Sequence, residues 1–359
     1  MKLITRFLVV CVILTGAIGC VKNQPFIASY TVPPVYDYGS KDSTALARVI
    51  MMHGIENYLA TGASNQLNEE TLEALWGNTD SSFTPAMVPD YLYNEEILNN
   101  MTIVSLAEAV VNRDSLKIFA DSVVYLSRFN GQTAANGVAG VLLPTAATGR
   151  YLFDARGVEF KEVWINAMLG ALSMSNVFSN LPVIAGSNSG LSWDAAYRYA
   201  GFPLGYDPAV DYSAPPLKAD RPLAIAGLLG RAVSFTETEL LYEEFRRGKA
   251  SLMAGNLAPV GPAADSIMLY IEKIIAGAAI DALDLSQQTS GIAGKLHYLS
   301  QAYGLVWALK YGSEESPLSA TEYWDLRDIF NMNFYSLVQD SSYTKIKEAR
   351  SILATAFRL

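Results

Sequence analysis

The stretch from Gly157 to Leu181, GVEFKEVWINAMLGALSMSNVFSNL, limits the folds open to this chain more than any other. Its apolar residues recur mostly three and four positions apart, which is the spacing of a helix with a wide apolar face. Residues 167–174 are apolar or small on every side, and Gly170 among them would let a neighbouring helix approach closely. We therefore predict a buried helix at the centre of a bundle. The charged residues of the stretch stand at its start and are Glu159, Lys161 and Glu162.

The helical period recurs along most of the chain, and no stretch alternates convincingly with the period of two that is typical of strands. Two irregular connections, 130–156 and 182–221, flank the central stretch, and the second is the candidate seam if there are two bundles. The predicted fold class is all-α, either one helical bundle or two packed bundles with long irregular connections. Further helices are predicted at 43–60, 69–76, 94–111 in pieces, 114–126, 192–201, 236–254, 262–285, 291–311, 321–338 and 341–357.

The first 20 residues resemble a bacterial lipoprotein signal. Lys2 and Arg6 form a positive n-region, and the apolar run over residues 7–19 is short for a membrane span, which takes roughly 20 residues. Small residues precede Cys20, although Ala17 stands where Leu is usual. The alternatives are an ordinary signal peptide or a buried first helix.

This start predicts how the chain is divided and where it resides. An acylated cysteine holds a protein on a membrane without a spanning helix. We therefore expect a lipid-anchored protein of the cell envelope, on the outer membrane, facing either the periplasm or the cell surface. The predicted segments are a signal peptide over 1–19, the lipidated Cys20 with a proline-bearing tether over 20–40, and a helical domain over 41–359.

Cysteine content and charge exclude several classes of function. The other cysteine, Cys11, lies in the removed segment, so the mature chain has no thiol for disulfides, thiol catalysis or thiolate ligation. Removal of Lys2 and Arg6 takes the formal charge from −9 to −11, and no basic cluster exceeds the run RRGK at 246–249. Because phosphate binding needs clustered Lys and Arg, nucleic acid is not an expected partner.

Several segments, in order, resemble one bacterial family. They are YDYGSKDSTALARVIMMHGIENYL, GRYLFDARGVEFKEVWINAMLGAL, SWDAAYRYAGFP, FRRGKASLMAGN and KLHYLSQAYGLVWALKY. Over most of residues 35–340 the chain is similar to a bacterial domain of unknown function, family 4856, which is related to the imelysins. The resemblance implies a helical, exported protein associated with iron uptake.

Two positions depart from the pattern of that family. The first signature reads SWDA at 192–195, where the family has Trp-Asp-Glu-Ala, often after a His. The later signature has Gln301 where the family has Glu four residues after the equivalent of His297. If the family site binds a cation, this member has lost groups that would neutralise it, so we expect weak divalent metal binding or none.

The two signatures recur together in the family, so we expect Asp194 and His297 to lie close together, with Asp194 hydrogen-bonded to His297 or to a backbone amide. A buried carboxylate is costly unless it has such a partner. On the same reasoning, replacing Ala195 and Gln301 by Glu would strengthen metal binding. The candidate ligand or structural site comprises Trp193, Asp194, His297, Gln301 and Glu159.

Each polar candidate also has an interpretation without function. His53 and Glu56 stand three apart on the first predicted helix, where they can share a metal, although such pairs are more often simply hydrogen-bonded. A buried His297 satisfied by Gln301 is a commoner arrangement than a metal ligand. Asp194 can cap a helix or face a cleft. Since two isolated histidines do not make a di-iron bundle, no metal or other cofactor is predicted.

Aromatic residues crowd the second irregular connection and allow two interpretations. They can line a surface that binds sugars or peptides, or they can pin an irregular segment to the core. The residues concerned are Tyr197, Tyr199, Phe202, Tyr206 and Tyr212.

On this basis we expect a non-enzymatic, imelysin-like lipoprotein that binds a small ligand or an envelope protein, with a link to iron uptake. The alternatives are a metal-dependent hydrolase of the imelysin type and a helical glycan-binding surface lipoprotein. The hydrolase needs a metal site, whereas the glycan-binding protein needs a cleft lined by exposed Tyr and Trp.

Overall fold

Helices make up most of the structure, which confirms the predicted all-α class. A computed structural model describes residues 29–36, 44–79, 82–84, 87, 106–144, 149–181, 189–203, 205–212, 221–236 and 238–359. The predicted signal peptide, Cys20 and most of the helix predicted at 94–111 lie outside these residues. No helix of the described part is both long and apolar enough to cross a bilayer.

The helices within the described residues are labelled in chain order. Short 3-10 turns follow α1 at 61–63 and α4 at 127–129, and another covers 226–228. The first seven α-helices are α1 (Thr44–Ala60), α2 (Glu69–Gly77), α3 (Leu106–Ala109), α4 (Arg113–Leu126), α5 (Phe160–Met168), α6 (Ser175–Asn180) and α7 (Ser189–Tyr199). The remaining six are α8 (Thr238–Met253), α9 (Val260–Gln288), α10 (Ile292–Leu309), α11 (Ala320–Phe330), α12 (Phe334–Gln339) and α13 (Thr344–Phe357).

The central stretch is a continuous helical rod from Phe160 to Asn180, but its middle, Leu169–Met174, has the wider π-helical winding. Where the winding ends, the Ser175 backbone N–H is shared between the Gly170 and Leu172 carbonyls. Each carbonyl also accepts a side-chain hydrogen bond, Gly170 from Ser175 Oγ at 2.9 Å and Leu172 from the Asn176 amide at 2.7 Å. The predicted start at Gly157 is three residues early, since Gly157 has φ +87° and belongs to the preceding turn.

The central rod packs between α4 and α10, and α10 approaches it very closely. A Cβ on Gly170 would lie 2.4 Å from the Ala308 carbonyl oxygen, and one on Gly304 would lie 2.6 Å from the Val163 carbonyl oxygen. Only glycine permits contacts of this kind, so the predicted role of Gly170 is confirmed. Met168, Leu169 and Leu172 are buried, also as predicted.

The connection before the central rod contains a β-hairpin that the sequence analysis missed. β1 (Gly140–Leu142) pairs antiparallel with β2 (Tyr151–Phe153), with Val141 opposite Leu152. Strands of three residues are too short to show a period of two, which explains the error. The hairpin places Tyr151 beside α10.

The helix predicted at 321–338 is also wrong, because the chain breaks into α11 and α12. Asn333 caps α12 by accepting a hydrogen bond from the Ser336 backbone N–H, and the Phe334 N–H donates to the Arg156 carbonyl. These contacts hold the chain in a turn between Phe330 and Phe334.

One hydrophobic core runs through helices on both sides of the candidate seam at 182–221. Next to the central rod, α10 packs on α9, and α9 packs on α8 and α13. α7 packs on α1, α6 and α8. Residues 182–188 and 213–220 of the candidate seam lie outside the described part of the chain.

Candidate functional site

Five polar side chains meet where the start of α5 faces α10, and we call them the charged cluster. Its members are Glu159, Lys161, Glu162, His297 and Gln301. The two glutamates are buried. Glu159 directly precedes α5, and its backbone N–H donates to Ser300 Oγ on α10 at 2.9 Å. This bond and the close approach at Gly304 set the spacing between the two helices around the cluster.

The imidazole of His297 is hydrogen-bonded at both nitrogens. Its Nδ1 lies 2.7 Å from Glu159 Oε2, and its Nε2 lies 3.0 Å from the amide nitrogen of Gln301, which is also bonded to Glu162. An amide nitrogen only donates, so Nε2 accepts and Nδ1–H donates to the carboxylate. Tyr151 stacks on the imidazole with ring centroids 4.3 Å apart and fixes its plane.

The ammonium of Lys161 forms a salt bridge with Glu162 and lies 4.0 Å from Glu159. Burial alone would lower the pKa of Lys161, but the charges of the two glutamates raise it well above its ordinary value. Burial alone would raise the pKa of Glu162, yet the Lys161 charge outweighs burial and holds that pKa low. The carboxylates of Glu159 and Glu162 therefore share the positive charge of one ammonium, that of Lys161.

The pKa of His297 responds to the same groups. Burial alone would lower it, but the hydrogen bond to Glu159 and the charges of Glu159 and Glu162 raise it above its ordinary value. Burial raises the pKa of Tyr151 most, and the negative charge of Glu159 raises it further. Glu159 thus acts electrostatically on both stacked rings.

The donors of the charged cluster fit a divalent cation. One ligand atom each from Glu159, Glu162 and His297 can be chosen so that all three lie within 4.8 Å of one another. Two carboxylates and one imidazole suit zinc, manganese or ferrous iron. The ammonium of Lys161 already interacts with both carboxylates, so a metal ion would have to replace it.

A small cavity of about 100 Å³ borders the charged cluster. Its lining includes Glu159, Lys161, Tyr151 and Arg150, together with apolar residues of α1 and α4 such as Leu59. The Arg150 guanidinium is hydrogen-bonded to two backbone carbonyls. Pockets for drug-sized ligands measure about 300–1,000 Å³. This cavity therefore admits an ion with its waters or a molecule of a few atoms.

Trp193 and Asp194 belong to a different cluster. Asp194 is buried and bonds to Lys249 Nζ and to the Tyr36 hydroxyl, each at 2.8 Å, while Trp193 Nε1 donates to the Phe245 carbonyl at 2.9 Å. Of the two partners expected for Asp194, His297 is wrong, because the partners of His297 are Glu159 and Gln301. Since α7 begins at Ser189, Asp194 is not its cap either.

Ala195 and Gln301, the two positions proposed above for new carboxylates, therefore do not belong to one metal site. Gln301 lies in the charged cluster, whereas Ala195 follows Asp194 on α7. The structure supports Gln301→Glu alone as a way to add a carboxylate beside His297.

The Asp194 cluster holds the chain before α1 against the body, and we call residues 33–36 the docked lead-in. The Tyr36 ring stacks on Tyr197 at 3.9 Å, and its backbone N–H donates to the Tyr242 hydroxyl at 3.1 Å. Arg246 on α8 donates to the carbonyls of Pro33 and Pro34, both at 3.0 Å. Asp194 thus helps fix the docked lead-in against α7 and α8.

The aromatic residues of the second connection pack against the core and one another. Tyr197 stacks on Phe202 with centroids 4.9 Å apart, and Tyr206 stacks on Tyr212 at 5.7 Å. Four of the five are buried, and Tyr212 packs partly buried against the core. This packing supports a pinning role and not a platform for sugars. The buried four are Tyr197, Tyr199, Phe202 and Tyr206.

His53 and Glu56 form a partly buried pair with 2.9 Å between Nδ1 and Oε2. Within the described residues, no third His, Cys, Asp or Glu joins them in a group that could hold a metal. The hydrogen-bonded interpretation therefore suits this pair.

Sequence reasoning missed three residues that complete the two clusters. In the sequence, Glu162 and Lys161 stand out only as charges at the start of the central helix, although Glu159 and Glu162 stand three apart and share a face. Lys249 stands out only as part of a basic run. A buried carboxylate such as Asp194 needs a positive partner, and this need is the signal that could have pointed to Lys249.

Comparison with known proteins identifies a family for part of the chain. The model of a domain of unknown function, DUF4856, matches residues 190–341, which include Trp193, Asp194, His297 and Gln301. Glu159, Lys161 and Glu162 precede the matched region. No curated protein and no solved structure matches the chain.

Proposed function

We propose that this member of the DUF4856 family is a lipid-anchored protein of the cell envelope that binds a small cation without catalysing a reaction. The predicted imelysin-like relation and the link to iron uptake are part of this proposal. The binding site is the charged cluster, reached from the adjoining cavity.

The observation that carries the proposal is the pair of buried carboxylates, Glu159 and Glu162, beside an imidazole and a small cavity. Buried carboxylates require a positive partner, and here the partner is the end of a long, flexible side chain. The side chain of Lys161 is 20% exposed and lines the cavity, so its ammonium has room to turn away. A cation that enters the cavity can take its place without leaving either carboxylate unpaired.

The size of the site favours binding over hydrolysis. A hydrolytic metal centre needs an open coordination position and a substrate beside it. A cavity of about 100 Å³ does not admit a peptide or an oligosaccharide. Ferrous iron is among the cations that carboxylate and imidazole donors suit, which is compatible with a link to iron uptake.

The proposed anchor is Cys20, which would attach the chain to the outer membrane from either face. Stable attachment needs more than one acyl chain, as in a bacterial lipoprotein. Cys20→Ser should move the protein from the membrane fraction to the soluble fraction. Membrane association that survives a carbonate wash in this variant would contradict the anchor.

Calorimetric titration with Mn²⁺ and Zn²⁺ tests the binding site. The wild type should bind weakly, because the Lys161 ammonium competes, and Lys161→Met should bind about tenfold tighter or more, since one charge about 4 Å away is worth several kcal/mol. Glu162→Gln should weaken binding in both backgrounds. Lys345→Met removes an exposed lysine from a surface ion pair with Glu348 and is the matched control, which should bind like the wild type.

Two outcomes would contradict the proposed site. One is a folded Lys161→Met variant, as judged by circular dichroism, that binds neither metal. The other is a wild type whose tight binding is unchanged by Glu162→Gln.

A further inference from the structure

We propose that the end of the molecule formed by the start of α7, the end of α8 and the turn into α9 lies against the lipid bilayer. The inference rests on the proposed Cys20 anchor but uses contacts far in sequence from the charged cluster. It adds an orientation on the membrane and a surface that contacts lipid.

The docked lead-in determines where the tether leaves the body. Tyr36 is bonded to Asp194 on α7 and Tyr242 on α8, while Pro33 and Pro34 are bonded to Arg246, one turn further along α8. Followed backwards from Tyr36, the chain therefore runs toward the C-terminal end of α8. The segment that the proposed anchor would tether therefore joins the body beside the C-terminal half of α8.

The tether is too short to let the body turn freely. Twelve residues lie between Cys20 and Pro33, so the thirteen steps from one to the other reach at most about 45 Å when fully extended and roughly 20 Å as a flexible coil. A folded chain of this size is about 50 Å across. The body is thus held at less than its own width from the membrane, on the side where the tether leaves.

Exposed apolar side chains gather at the same end. Met253 is 61% exposed, and Leu191 and Leu257 are each 47% exposed. α7 and α8 run antiparallel, because Asp194 meets Lys249, whereas Tyr197, three residues further along α7, meets Tyr242, seven residues back along α8. Leu191 at the start of α7 is therefore level with Met253 at the end of α8, and Leu257 follows in the turn.

Apolar side chains at the point where a lipidated tether meets a domain can insert among lipid headgroups. Buried apolar area adds to the affinity of the acyl chains and limits rotation of the domain about the tether. The structure therefore assigns this apolar end to a phospholipid surface.

The cysteine content of the chain makes a clean test available. In the lipidated mature protein Cys20 is acylated and Cys11 has been removed, so one introduced cysteine is the only free thiol. A fluorescent donor would be placed on Met253→Cys or on Ile292→Cys, whose native side chains are 61% and 36% exposed. Ile292 follows the far end of α9, a helix of 29 residues and about 43 Å that begins just after the turn holding Leu257.

Each labelled protein would be reconstituted in vesicles of phosphatidylethanolamine and phosphatidylglycerol that carry an acceptor lipid. Energy transfer to the lipid should be about twofold greater or more from position 253 than from position 292, given the length of about 43 Å between the two ends of α9. Leu257→Glu should reduce transfer from position 253. Leu143→Glu on the hairpin, where Leu143 is 65% exposed, should leave that transfer unchanged.

The outcomes separate this inference from the proposed anchor. Equal transfer from both positions, in protein that sediments with the vesicles, overturns the orientation and leaves the anchor intact. Protein that does not sediment overturns both. If energy transfer from position 253 changes with protein concentration but not with Leu257→Glu, the apolar end contacts a second copy of the protein, and the proposed lipid contact is overturned.

Discussion

Gly170→Ala should destabilise the protein even though alanine is the better helix former. The added Cβ would lie 2.4 Å from the Ala308 carbonyl oxygen, 2.5 Å from its Cα and 2.7 Å from a ring carbon of Tyr311. Ordinary contacts are about 3.5–4.0 Å, so the central rod and α10 would have to separate by about 1 Å. Overpacking costs about 1–3 kcal/mol and the gain in helix propensity is about 1 kcal/mol, which leaves a net loss of about 2 kcal/mol at the upper end.

Urea denaturation followed by circular dichroism would measure this loss as a lower midpoint with an unchanged slope. Gly261→Ala is the matched control, because Gly261 lies in the first turn of α9 and a Cβ there would meet no atom within 4 Å. The control should keep or raise stability, by up to about 1 kcal/mol. If the two variants shift the midpoint equally, the close approach of α10 to the central rod is not the cause and the reasoning fails.

Two further predictions concern an ion pair and a helix cap. Lys249→Met should cost about 3–5 kcal/mol of unfolding free energy, because it removes the ammonium that pairs with the buried Asp194 carboxylate. Adding Asp194→Asn should recover much of the loss, as measured in a double-mutant cycle by urea denaturation. Equal stability of the Lys249→Met single variant and the double variant would refute this. Ser319→Ala should cost about 1 kcal/mol at pH 7 by removing the capping hydroxyl of α11. The hydrogen bonds of Ser319 lower the pKa of Glu322, so the Glu322 contribution is present above its unfolded pKa and lost as the pH falls through the folded value. The penalty should therefore shrink between pH 7 and pH 3, and a penalty that grows on acidification would contradict the capping box.

The sequence predicts the long helices well because their apolar period extends over many turns. It does not predict the π-helical winding at Leu169–Met174, since a run that is apolar on every side has no phase from which a change of winding can be read. The sequence does not predict β1 and β2 either, because three residues do not establish an alternation of apolar and polar positions. The break between α11 and α12 depends on Asn333, whose capping bond competes with an apolar period that continues through the turn.

The candidate site shows the same division between local and distant information. The pairing of His297 with Gln301 follows from their spacing of four residues on one helix. The bond from His297 to Glu159 joins residues 138 positions apart, and only the packing of α10 against the central rod produces it. A buried carboxylate such as Asp194 needs a partner, which the sequence indicates. That the partners are Lys249 and Tyr36, and not His297, depends on the packing of α7 on α8 and on the docked lead-in.

Anomalous diffraction from crystals of the mature chain soaked in Mn²⁺ would test the central claim most directly. We expect an anomalous peak between the Glu159 and Glu162 carboxylates and the His297 imidazole, with the Lys161 ammonium turned away from both glutamates. The same peak should be stronger in Lys161→Met crystals soaked at the same concentration. A peak at another place with the charged cluster unchanged, or no peak in the Lys161→Met crystals, would contradict the claim that this cluster binds a cation in exchange for its own lysine.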